Sequence, residues 1–216
     1  MTLPAHSLPR GYMALEPMKP RNQQGFSLLE MMMVIAIIFI ITTFSVMAWQ
    51  PMNKQQHVTD AYNTTLSTMR WARDQAAADM RVYVVSFTAP GTITVTQNTT
   101  AGPLLSTATL PSDITFHIEP GIPTSPSVAP TTPDGFGSGY YPIDFDQGVG
   151  GGGATVIYFQ PDGTALDAAG NINNGVVYFG RPGELTSTRA ITVWGATSRL
   201  RGWRLYTNPS TVWRQQ

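Results

Sequence analysis

Hydrophobic positions follow three successive rhythms along this chain. Residues 31–49 form an unbroken run of 19 uncharged, mostly apolar residues. At about 1.5 Å per residue, a helix of that length nearly spans the ~30 Å hydrocarbon core of a bilayer. From Val58 to Met80 the apolar residues recur at three- and four-residue steps, through Tyr62, Leu66, Met69 and Ala76, which predicts an amphipathic helix with one buried face. Lys54, Gln55, Asp60, Arg70, Arg73 and Asp74 occupy the other positions, and Pro51 is expected to bend the helix where the two stretches meet. Beyond Met80 the period drops to two, and strands are predicted at residues 82–88, 92–97, 114–119, 155–160, 176–179, 190–194 and 203–207. Pro90-Gly91 and Pro161-Asp162-Gly163 supply turn signals between them.

Residues 119–153 hold six prolines and nine glycines and read as a long surface loop, with a short strand inside it near residues 140–145. The expected fold is α+β: a long N-terminal helix, membrane-spanning and then amphipathic, packed on an antiparallel β-sheet or two-sheet C-terminal domain. The expected boundaries are a leader at 1–25, an apolar helix at 26–50, its amphipathic continuation at 51–80 and a β-rich domain at 81–216.

Charge sharpens this picture at both ends. Arg10, Lys19 and Arg21 precede the apolar run with only Glu16 against them, so the positive-inside rule holds the N-terminus in the cytoplasm. Everything after about Pro51 is then expected to be extracytoplasmic, in a chain that crosses a membrane once. At the other end, residues 181–216 carry six arginines against Glu184. Charged residues are only 12% of the chain, about half the usual share, which suits an exported, strand-rich protein. There are no cysteines, so disulfides and thiolate metal sites are excluded.

Three readings compete for the apolar run: a cleaved secretory signal, a plain anchor, and a leader followed by an assembly helix. The run is too long for a secretory signal, although Val46 and Ala48 form a passable cleavage site. A plain anchor has no use for a carboxylate, yet Glu30 lies between Leu29 and Met31. A charge at that depth costs roughly 2.5–3.5 kcal/mol, so it calls for a partner. If the chain is cut between Gly25 and Phe26, the freed α-amino group of one copy would supply that partner to Glu30 of its neighbour.

Gly25-Phe26-Ser27-Leu28-Leu29-Glu30 with the apolar run behind it resembles the type IV prepilin motif. The resemblance implies cleavage by prepilin peptidase after Gly25, N-methylation of Phe26, and pairing of Glu30 with a neighbour's amine in a pilus or a type II secretion pseudopilus. Met13 and Met18 offer alternative starts that shorten the leader.

Three downstream stretches resemble the GspH/FimT family of minor pilins and pseudopilins: residues 68–76 running into 81–85, residues 156–164, and the close on Ser198-Arg199-Leu200-Arg201. Some members of that family bind DNA through an Arg-containing C-terminal motif, and Ser198-Arg199-Leu200-Arg201 approximates the usual Gly-Arg-x-Arg. Arg199, Arg201 and Arg204, interleaved with Trp203, Tyr206 and Trp213, are therefore candidate DNA contacts, against the alternative of a solvated strand face.

Other chemistry is sparse. His6, His57 and His117 have no metal-ligand spacing, and no nucleophile arrangement is readable, so neither catalysis nor a cofactor is expected. Asp144 and Asp146 lack the full oxygen pattern of a calcium loop and read as turn caps. Gly148, Gly150 and Gly153 match a dinucleotide fingerprint only formally, because they lead into a strand and not a helix. The acceptor patterns at Asn63 and Asn98 are common in so Thr-rich a chain.

Overall fold

Ser27 opens the first element. In the computed structural model, which describes residues 25–123, 136–137, 139–147 and 153–216, its hydroxyl accepts the N–H of Glu30 at 3.2 Å and its carbonyl that of Met31 at 3.1 Å. Helix α1 (Leu28–Asp79) follows, and its assignment is unbroken across position 51. It ends at Met80, whose left-handed φ of 52° lets the N–H of Arg81 return to the carbonyl of Ala76 at 3.2 Å. That reversal corrects the expectation for Met80: it leaves the helical face and stands 73% exposed.

The chain divides into two units, residues 1–47 and 48–216. In the described part of the first, Leu28–Ser45 is long and apolar enough to cross a membrane, and none of it is buried.

In the second unit, α1 buries Val58, Ala61, Thr65, Leu66, Met69, Ala72 and Ala76. The alanines keep that face low, and Thr65 returns its hydroxyl to the carbonyl of Ala61 at 2.8 Å, so its burial leaves no orphaned donor. Tyr62 is only half-buried.

Among the described residues, ten strands build two antiparallel five-stranded sheets. The first is ordered β3-β2-β1-β5-β6, from β1 (Tyr83–Thr88), β2 (Thr92–Gln97), β3 (Leu104–Thr109), β5 (Val156–Phe159) and β6 (Ala165–Leu166). The second is ordered β10-β9-β8-β7-β4, from β4 (Ile143–Gln147), β7 (Asn174–Phe179), β8 (Arg189–Trp194), β9 (Arg199–Tyr206) and β10 (Val212–Gln215). The α+β expectation is borne out.

The details depart from it in three places. Residues 114–119 form no strand, only a bridge from Thr115 to Gly180. Strands β3, β6 and β10 were not foreseen: β3 is an edge strand with Leu104 and Leu105 exposed, and β10 buries only Trp213. Finally, the short strand expected inside the stretch 119–153 is present as β4, but the stretch is not all surface, because Phe136, Ile143 and Phe145 are buried. Residues 124–135 and 148–152 lie outside the described part.

Two cores result. The larger joins the face of α1 to both sheets, with Val85, Phe87, Ile93, Ile157 and Phe159 from the first and Val177, Phe179, Ile191, Val193 and Leu200 from the second. The smaller lies on the opposite face of the second sheet, where Phe136 stacks on Trp213 at 5.4 Å beside Trp203, Tyr178 and Leu205. The second sheet is thus buried on both faces, and the parity of each residue decides which core it enters.

Candidate functional site

Gly25 and Phe26 lie just ahead of α1, both exposed. A side chain at Gly25 would meet nothing within 4 Å, so no packing among the described residues requires glycine there. Phe26 is 76% exposed, and Leu28, Leu29, Met32, Phe39 and Phe44 are each above 60%. Apolar surface on that scale is unfavourable in water and calls for lipid or other helices around it.

Glu30 is the third residue of α1, and Ser27 is its N-cap. This is the Ser-x-x-Glu arrangement of a capping box, readable in the sequence but overlooked there. A carboxylate in the first turn is favoured by the helix dipole, which offsets part of the cost of placing it near hydrocarbon. Among the described residues, no cation pairs with Glu30.

The C-terminal arginines do not form one patch. On β9, Leu200 enters the larger core while Trp203 and Leu205 enter the smaller, so the strand alternates without interruption. Arg199 and Arg201 share the parity of Trp203, whereas Arg204 shares that of Leu200 and points to the other face. Arg199 and Arg201 thus lie on one face of β9 and Arg204 on the other.

Arg204 belongs instead to a row that sequence spacing could not reveal. It lies opposite Arg189 of β8 on one side and Arg214 of β10 on the other. Both Arg204 and Arg214 stand over the ring of Tyr206, at 5.3 and 5.1 Å from its centroid. Arg189 is only 3% exposed and donates to the carbonyls of Thr186 and Thr188 at 3.2 and 3.0 Å. Burial, with Arg204 beside it, lowers its pKa to about 10.

Arg181 ties neighbouring elements together. It donates to Asp113 through Nη2 at 2.5 Å and Nε at 3.1 Å, to Glu184 at 2.7 Å, and to the carbonyl of Lys54 on α1 at 3.0 Å. His57 Nδ1 lies 2.8 Å from the other oxygen of Asp113. Burial pushes the Asp113 carboxyl up, but the hydrogen bonds from Arg181 and His57 outweigh it and hold the group below the usual range.

Asp144 accepts the N–H of Gly153 at 2.8 Å, which is a loop-closing role. Asp146 has a raised pKa through burial, with Asp167 and Asp144 adding to it. Among the described residues no group of acidic or histidine side chains is arranged to hold a metal ion.

Residues 20–46 match the family model for the prokaryotic N-terminal methylation motif. No curated protein and no solved structure matches the chain. The exposed apolar helix, its first-turn carboxylate and this match agree: the chain carries the type IV prepilin-like signal on an α+β layout consistent with a pilin or pseudopilin.

Proposed function

We propose that this protein is a structural minor pilin of the GspH/FimT kind, cleaved by prepilin peptidase between Gly25 and Phe26 and assembled into a type IV pilus at its initiating end or tip. The observation that carries the reading is Glu30. It is a carboxylate in the first turn of a helix whose apolar surface is exposed among the described residues. In the membrane that surface is satisfied by lipid, but the carboxylate is not. In a filament, neighbouring helices replace the lipid, and the N-methylated amine of a neighbour's Phe26 meets Glu30.

Insertion places residues 26–50 in the inner membrane, with the leader in the cytoplasm and the β-rich domain outside. Gly25 supports the cleavage, since no contact among the described residues needs a glycine there. Mass spectrometry of the mature protein tests it: an N-methylated Phe26 is expected, and a mature end near Trp49 would overturn the reading. The same assembly chemistry would serve a type II secretion pseudopilus, and scoring a deletion strain for piliation and for secretion separates the two.

A second property is favoured by the shared face of Arg199 and Arg201. Half-buried and two residues apart on β9, they form a basic pair on the exposed domain that suits the phosphates of duplex DNA. Arg204 is not part of that pair.

A further inference from the structure

A cleft of about 350 Å³ lies in the C-terminal unit between the start of its helical segment and the second sheet. Lys54, Arg181, Arg189 and Arg204 line it, against a single carboxylate, Glu184. Arg181 is already engaged by Asp113 and Glu184. Among the described residues, no carboxylate pairs with Lys54, Arg189 or Arg204.

A guanidinium as buried as that of Arg189 ordinarily has a counter-charge, because an isolated charge away from water is costly. Here Nη1 donates to two backbone carbonyls, and the residue opposite Arg189 on β9 is another arginine, Arg204. The fold holds like charges together and leaves an open volume in front of them.

From this geometry we infer that the cleft is a binding site for a phosphate group, with Arg189 at its base and Lys54 and Arg204 at its rim. A carboxylate fills one guanidinium fork. A phosphate group accepts from several donors around a tetrahedron, which is what two guanidiniums and an ammonium provide. The volume exceeds that of a bare phosphate and leaves room for the group that bears it. Two sources share this chemistry, a lipid headgroup and a soluble phosphate. The site is separate from Arg199 and Arg201, which face the other side of β9.

The full chain in dodecyl maltoside micelles tests this by thermal melting during titration with inorganic phosphate at constant ionic strength, with chloride and acetate as controls. A saturable rise in Tm specific to phosphate is expected. Lys54→Gln and Arg204→Gln should each weaken half-saturation by about tenfold or more, as loss of a charge-assisted hydrogen bond implies. Arg199→Gln and Arg201→Gln should leave it in place. Arg189→Met should abolish it, and if that variant does not fold, Lys54→Gln carries the test, since Lys54 is exposed.

Repeating the titration in micelles doped with phosphatidylglycerol or phosphatidylcholine identifies the source. Competition by the anionic lipid alone assigns the site to a headgroup; undiminished phosphate binding assigns it to a soluble phosphate. A shift matched by chloride or acetate, or one untouched by both Lys54→Gln and Arg204→Gln, would overturn the inference.

Discussion

The phenol of Tyr62 on α1 occupies the space that a side chain at Gly202 of β9 would fill. Glycine in the interior of a strand ordinarily weakens it, and here it admits the helix to the sheet. Gly202→Ala should force the ring aside and cost about 1–3 kcal/mol in urea unfolding. Combining it with Tyr62→Ala should recover part of that loss, a coupling that a purely local strand effect would not produce.

At the N-terminus, the capping geometry separates two roles of one short segment. Ser27→Ala should loosen the first turn by about 1 kcal/mol and reduce filament incorporation modestly. Glu30→Gln keeps the size and polarity but removes the charge, so incorporation should fall by about tenfold or more while membrane insertion persists. Fractionation of membranes and sheared filaments measures both, and equal incorporation of Glu30→Gln would remove the proposed role of that charge.

Acid should weaken the Asp113 junction. Its folded pKa lies below the ordinary value of 3.8, so the contribution to stability is fully present above that value and is lost as pH falls through the lower folded one. Asp113→Asn should therefore cost about 1 kcal/mol at neutral pH, discounted for partial exposure. The gap to the parent should close below about pH 4 when melting is followed across the acid range.

The smaller core predicts a coupled loss. Trp213 is buried against Phe136 and donates its indole N–H to the carbonyl of Pro123 at 2.9 Å. Trp213→Ala should cost about 3 kcal/mol, and adding Phe136→Ala should cost less than its effect alone, since the two rings share one contact. Chemical denaturation of the single and double variants measures it.

If Arg199 and Arg201 hold duplex DNA, reversing both to Glu should abolish a salt-sensitive affinity that Arg214→Gln leaves standing. Filter binding at two salt concentrations distinguishes this from a solvated face, for which neither change matters.

The N-terminal signal was legible because it is written in consecutive residues. A Gly-Phe junction, a carboxylate five residues after the glycine and 19 uncharged residues need no tertiary contact to be recognised. Alternation likewise located β1, β2, β5, β7 and β8, where each strand meets a core on at least one face. It overlooked β3 and β10, whose side chains are largely exposed and whose positions are set by backbone pairing with a neighbour.

The prepilin-type signal, the membrane-length helix and the α+β class all follow from local order and period along the chain. Which arginines share a surface depends instead on pairing between strands distant in sequence. Arg189, Arg204 and Arg214 are separated by 15 and 10 positions, and antiparallel pairing alone sets them in one row. Arg201 and Arg204 are three apart, and the pleat of one strand sends them to opposite faces.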